Sequence, residues 1–232
     1  MSGTHFHQFN QEFASAIQTL KAIPKHLGVK MDYVCQFACG DGVWLAAAEA
    51  LGAKRILGID QVNPQLAPLS IPQDRIANYD LRGVRVSLPA PADLALCINF
   101  AHSLPTERAK DFITDLSKSA DRVLFCAPAP FQMRGQGINP QWPSYWARLF
   151  AENHLFPELK FRPKIWANRL IEPSIRQNSI LYVRRKPDYR MPVPFENLDV
   201  VHPAIFAQLS DRQEWFAKQL TKSTLSRILR QK

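Results

Sequence analysis

Residues 33–42 run Tyr33-Val34-Cys35-Gln36-Phe37-Ala38-Cys39-Gly40-Asp41-Gly42, and a second apolar run, Ile56-Leu57-Gly58-Ile59, ends in Asp60. An apolar strand that passes through small residues straight into a helix, starting near Val43, fits few folds. The chain must return to a second strand by a helical crossover, which places helices on the faces of a parallel sheet. The second strand closes in a carboxylate 20 residues after Gly40. Glycines let a backbone approach a ligand, and an acid at that spacing accepts hydrogen bonds from ribose hydroxyls. The layout therefore predicts a nucleotide-type pocket.

The rest of the chain continues the alternation. Residues 8–29 predict an amphipathic lead-in helix, with Phe9, Phe13, Ile17 and Leu20 at helical spacing before Pro24. Strands are expected at 33–37, 55–59, 75–79, 93–98 and 122–127, with helices at 43–51, after Ser103-Leu104-Pro105, and at 143–153. Prolines within 61–74 allow only a short helix there. Asp93-Leu94-Ala95-Leu96-Cys97-Ile98 is almost wholly apolar, as a strand covered on both faces must be. Ser103 is placed to cap the next helix, which carries Phe112, Ile113 and Leu116. Residues 158–166 and 178–185 read as a final antiparallel strand pair, and the segment from Lys186 as loop, then a terminal helix from about 211. The expected fold is α/β: a doubly wound, mostly parallel seven-stranded sheet with a C-terminal helical tail. Its parts would be a lead-in over 1–30, a ligand-binding domain over 31–186 and an extension over 187–232.

In such sheets ligands sit beyond the carboxyl ends of the strands. The candidate residues fall there: 38–42, Asp60, Asp80, Asn99 to His102, and 128–139.

Composition narrows the class. The 232 residues suffice for one well-buried domain, and no run approaches the ~20 apolar residues of a membrane span. The amino-terminal residues lack the basic-then-apolar order of a signal peptide, so a cytoplasmic enzyme is expected. Cys35, Cys39, Cys97 and Cys126 lack paired metal-ligand spacing and read as buried free thiols. The net charge of +9 invites an anionic partner. Part of the excess is a tail, with Lys218, Lys222, Arg227, Arg230 and Lys232 and no acid over 215–232.

With these residues in view, the chain resembles the class I S-adenosylmethionine (SAM)-dependent methyltransferases. The family pattern at the first strand is an acid, then x-Gly-x-Gly-x-Gly. Gly40 and Gly42 match it, Gln36 stands for the acid and Ala38 for the first glycine. Asp60 matches the ribose-binding acid, and Asp80-Leu81 the position that brackets adenine. The resemblance implies SAM as cofactor, held by Gln36, Ala38, Gly40, Gly42, Asp60, Gln61, Asp80, Leu81 and Asn99. Over 33–185 the chain also resembles a branch associated with glycan and natural-product biosynthesis. That resemblance rests on Asn139-Pro140-Gln141-Trp142-Pro143-Ser144-Tyr145-Trp146, Lys164-Ile165-Trp166 and Gln177-Asn178. The branch usually carries an acid and then Ala-Glu-His after strand four, where this chain has Asn99-Phe100-Ala101-His102-Ser103. It usually has a histidine where Gly137 stands.

Methyl transfer demands alignment of the nucleophile and exclusion of water, and an oxygen nucleophile must also lose a proton. His102 is the candidate base and Asn139 the candidate acceptor-orienting residue. His202 reads as structural, and His5 and His7 as part of a frayed terminus. Trp142, Tyr145 and Trp146 fit an acceptor-stacking wall and core packing equally, with Trp146 on the core side. Arg134, Arg162 and Lys164 read as surface, or as facing an anionic acceptor. The expected function is methylation, at oxygen first, of a small-molecule or saccharide-linked acceptor. Two alternatives stay open: an RNA or protein methyltransferase, suggested by the charge, and a non-catalytic partner that keeps the fold. Nucleic acid is disfavoured because the basic residues do not interleave with aromatics near the pocket. A homodimer contact is one role left open for the tail.

Overall fold

The computed structural model describes the backbone from residue 3 and side chains from residue 10, apart from residues 62–67, 131, 133–137 and 212–232. It divides into two compact units, Met1–Val200 and Val201–Lys232. In the second unit residues 203–211 are helical. No helix among the described residues is long and apolar enough to cross a membrane.

The first unit is built in the order α1 (Gly3–Leu27), β1 (Tyr33–Phe37), α2 (Val43–Ala50), β2 (Arg55–Asp60), β3 (Ile76–Asn78), β4 (Leu94–Ile98), α3 (Thr106–Ser119), β5 (Arg122–Cys126), α4 (Pro143–Ala151), β6 (Leu155–Pro157), α5 (Phe161–Trp166), α6 (Pro173–Asn178) and β7 (Ser179–Arg184). The seven strands form one sheet in the order β3-β2-β1-β4-β5-β7-β6. β1 to β5 pair in parallel, and β7 runs antiparallel to both β5 and β6. The order reverses between β1 and β4, whose carboxyl ends therefore open a crevice.

Period-two alternation divides the central strands between two cores. Ala95 and Cys97 of β4, with Val123 and Phe125 of β5, face Phe112 of α3 and Trp146 and Phe150 of α4. Leu94 and Leu96, with Leu124 and Cys126, face Leu20 and Ile23 of α1, Trp44 and Leu45 of α2, and Phe161 and Ile165 of α5. Full burial of one such side chain stabilises the fold by about 1.5–3 kcal/mol. All four cysteines are buried free thiols.

Several boundaries differ from the sequence reading. The lead-in helix begins earlier and runs through Pro24 to Leu27. Proline lacks only one donor, and the burial of Leu20 and Ile23 in the turn before it holds the helix to the core. Residues 158–166 are not a strand: β6 is the shorter Leu155–Pro157, and Phe161–Trp166 is helix. Phe161 and Ile165 are four apart and both buried, which is helical periodicity. Pro163 sits in the first turn, where its missing N–H costs nothing. Ser103 does not cap α3. It ends a short 3-10 turn, Ala101–Ser103, its hydroxyl has no partner among the described residues, and Pro105 holds the cap position. Of the terminal helix expected from about 211, the described part starts earlier, at residue 203, and the remainder lies outside the described residues.

Candidate functional site

The crevice is lined first by the turn after β1. Ala38 is left-handed (φ 55°) and its N–H donates to the Ile59 carbonyl at 2.8 Å, which ties the turn to β2. Gly42 is also left-handed (φ 86°), and a β-carbon there would stand 2.6 Å from Ile71 Cγ1. Glycine is thus required twice over, by conformation and by space. Asp41 precedes the cap residue Gly42; one carboxylate oxygen accepts from Val43 N–H at 3.1 Å and the other from the Ser70 hydroxyl at 3.2 Å. The loop around Ser70 therefore braces the turn, a contact that no spacing rule announces. Gly58 in β2 leaves room for Cys39 Sγ, which would lie 2.6 Å from an added β-carbon.

Asp60 ends β2 facing this turn. One carboxylate oxygen accepts from Gly40 N–H at 2.8 Å and the other from Gln61 N–H at 2.7 Å. A carboxylate offers about four lone-pair sites, so each oxygen keeps one for a ligand. Asp60, Gln61, Tyr79, Asp80, Leu81, Arg82 and Phe100 line a cleft of about 140 Å³. That is well below the ~300–1,000 Å³ of pockets that enclose a drug-sized ligand, so the cleft has room for part of such a ligand only. Phe100 falls within the expected stretch Asn99 to His102, whereas Tyr79 and Arg82 were missed by sequence reasoning, because only the return of the chain from β3 brings them beside Asp60.

Asn99, after β4, is left-handed too (φ 54°); its N–H donates to the Cys126 carbonyl at 2.7 Å. Left-handed non-glycine residues are sparse and collect at functional sites. Here two of them, Ala38 and Asn99, follow neighbouring strands. Gln36 is buried in β1 and its Oε1 has no hydrogen-bond partner among the described residues.

His102 and Asn139 come together. Asn139 N–H donates to the His102 carbonyl at 3.0 Å, and the Asn139 Oδ1 accepts from Gln141 Nε2 at 2.9 Å. Both side chains are buried, 5% and 2% exposed. Each nevertheless leaves one polar atom unpartnered among the described residues: His102 Nδ1 and Asn139 Nδ2. Burial lowers the His102 pKa from its ordinary value. An amide cluster joins the segment after β5 to the end of α6: Asn178 Nδ2 donates to Gln132 Oε1 at 2.9 Å and Gln177 Nε2 donates to Asn178 Oδ1 at 3.0 Å.

Other candidates separate. Trp146 is core, Tyr145 is half-buried, and the Trp142 ring is 36% exposed. Arg162 faces no open acceptor space: its guanidinium donates to the carbonyls of Leu198 at 2.9 Å and Gln177 at 3.3 Å. His202 is buried, and its Nδ1 accepts from Ala204 N–H at 3.1 Å. Arg134, Gly137, the side chains of His5 and His7, and the basic tail lie outside the described residues. Among the described residues no group of three or more His, Cys, Asp or Glu is placed to hold a metal. Glu12 of α1 was not foreseen. Its pKa is raised by burial, then by repulsion from Asp41 and Glu172, so α1 carries a carboxyl toward the glycine turn.

No protein-family model matches the chain, and no curated protein matches it. Solved structures do. The sugar N-methyltransferase KedS8 from Streptoalloteichus sp. ATCC 53650 shares 11% identity over 75% of this chain and 87% of its own, with a TM-score of 0.55. A chain of the complex of the Haloferax volcanii Trm112 methyltransferase activator shares 10% identity over 80% of this chain and 95% of its own, at 0.54. An O-methyltransferase family protein from Burkholderia thailandensis shares 15% over 78% of this chain and 59% of its own, at 0.50. At such identities the likeness establishes the fold: a Rossmann-like class I methyltransferase fold.

Proposed function

We propose that the chain is a SAM-dependent methyltransferase acting on a small-molecule or saccharide-linked acceptor, with oxygen as the first choice of methylated atom. One observation carries the proposal. The Asp60 carboxylate is tied to the glycine turn through Gly40 N–H while it lines a cleft with Asp80 and Leu81.

The residues fit the cofactor. Asp60 keeps lone pairs for ribose hydroxyls, and Leu81 and Phe100 supply apolar walls for a ring beside Asp80 and Gln61. Gln36 has a buried carbonyl oxygen without a donor, which suits an ammonium group of the methionine moiety. Ala38, Gly40 and Gly42 keep the backbone bare for close approach, and Asn99 closes the crevice from β4. When bound, SAM supplies a methyl group on a sulfonium, an electrophile that needs no acid catalysis.

The chain's own residues serve the acceptor. His102, kept neutral by burial, can accept the proton of an acceptor hydroxyl at Nδ1. Asn139 Nδ2 can donate a hydrogen bond to orient the same acceptor. The exposed Trp142 ring offers a face on which a sugar or aromatic ring packs. These groups are uncharged, which favours a neutral acceptor over an anionic one.

The test is turnover. The protein is incubated with SAM and a panel of neutral glycosides and phenols, and released S-adenosylhomocysteine is measured. Acceptor-dependent product that falls by about 10²–10⁴-fold in His102→Ala, the range for loss of a general base, is expected. Cofactor binding with no product from any acceptor would turn the account toward a non-catalytic partner.

A further inference from the structure

The flank of the first unit carries a cleft that the methyl-transfer site does not use. Gln18, Lys21, Ala22 and Lys25 of α1 form one wall; Lys164 and Ile165 of α5, with Asn168, form the other. Its volume is about 400 Å³, within the ~300–1,000 Å³ of small-molecule pockets. Three ammonium groups line it and no carboxylate does. Among the described residues Lys21, Lys25 and Lys164 form no ion pair, whereas Arg85 pairs with Asp111 and Asp115, Lys110 with Glu152 and Arg185 with Glu158. Glu158, paired with both His26 and Arg185, is already committed.

The walls are fixed rather than adventitious. Asn168 Nδ2 donates to Gln18 Oε1 at 3.4 Å across the cleft, and Glu172 N–H donates to the Ser15 hydroxyl at 3.0 Å just beyond it. Ile165 is buried at the floor, and Ile23 and Leu20 pin the same stretch of α1 to the core. Lys25 lies in the last turn of α1, where a cation also complements the helix carbonyls, so its place has a second explanation. Lys164 lies in the last turn of α5 in the same way, so of the three only Lys21 lacks one. Like charges held together without a counter-charge repel, and an anion between them removes that cost.

We propose that this cleft binds a phosphoryl polyanion of diphosphate size. Lysines present compact charges with rotatable donors, suited to phosphate oxygens, and Gln18 and Asn168 add neutral amide donors at the rim. The site would grip the diphosphate portion of a ligand, or free pyrophosphate, with residues none of which lines the Asp60 cleft.

Inorganic pyrophosphate is the probe, titrated calorimetrically into the full chain at low ionic strength, since salt screens such contacts. Saturable binding with one site per chain is expected. It should weaken at least tenfold in Lys21→Ala/Lys164→Ala and be kept in Lys21→Arg/Lys164→Arg. It should also persist in Asp60→Ala, which separates this cleft from the proposed cofactor seat. Both lysines are exposed, so the melting temperature of each variant should match the parent. A nucleoside diphosphate in a parallel titration distinguishes the sources: equal affinity marks a diphosphate site, and tighter binding that survives Asp60→Ala marks a site for the nucleotide as well. Absence of saturable binding, or binding indifferent to the double alanine variant, would overturn the proposal.

Discussion

Gly42 shows how one position carries both fold and site. An alanine there would adopt a left-handed backbone, costing about 1–2 kcal/mol, and would also drive its β-carbon into Ile71. Gly40 is left-handed with open space around it. Gly42→Ala should therefore lose more stability in urea denaturation than Gly40→Ala, and equal losses would contradict the packing described. Glu12 gives a pH prediction. Its folded pKa is raised, so ionising it opposes folding; its contribution is fully favourable below the ordinary pKa of 4.5 and is lost as pH rises through the folded value. Glu12→Gln should melt a few degrees higher than the parent at pH 7, and the gap should close in acid. His102 has the opposite sense: burial lowers its pKa, so stability present above 6.5 declines as pH falls through the folded value. Its imidazole resonance, assigned with His102→Gln, should titrate below 6.5. The spacing of Asp60 from Gly40 was readable from sequence because a strand-turn-helix-strand unit fixes it. Glu12, Ser70 and Tyr79 were not, because long-range folding alone brings them to the crevice.

At the scale of elements, the central strands were legible because burial on both faces leaves an uninterrupted apolar run, as in Leu94–Ile98. The error lay at 158–166. Leu159 and Phe161 alternate like a strand, while the longer spacing of Phe161 and Ile165 follows a helix, and a six-residue element is too short for periodicity to decide. Tertiary packing decides it: both side chains insert beneath α1 and against β7. Phe161→Ala should cost about 3–5 kcal/mol and Ile165→Ala about 2–5 kcal/mol in urea denaturation, while Lys164→Ala between them should be near neutral. Comparable losses at all three positions would argue against helix α5.

For the whole molecule, the alternation of strands and helices was enough to specify a doubly wound sheet, and the sheet order with its single reversed strand completes the methyltransferase fold. The acceptor was less legible, because its groups lie on loops after β4 and β5 whose spacing obeys no repeat. The central claim is that the crevice at the β1–β4 switch point holds SAM. Calorimetric titration of the intact chain and Asp60→Ala with SAM and S-adenosylhomocysteine tests it most directly. The account predicts micromolar binding to the intact chain, weakened about 10- to 100-fold in Asp60→Ala, from the ~1.5–3 kcal/mol of hydrogen bonds to a charged group. A folded intact chain that binds neither compound, or an Asp60→Ala variant that binds both as tightly, would contradict it.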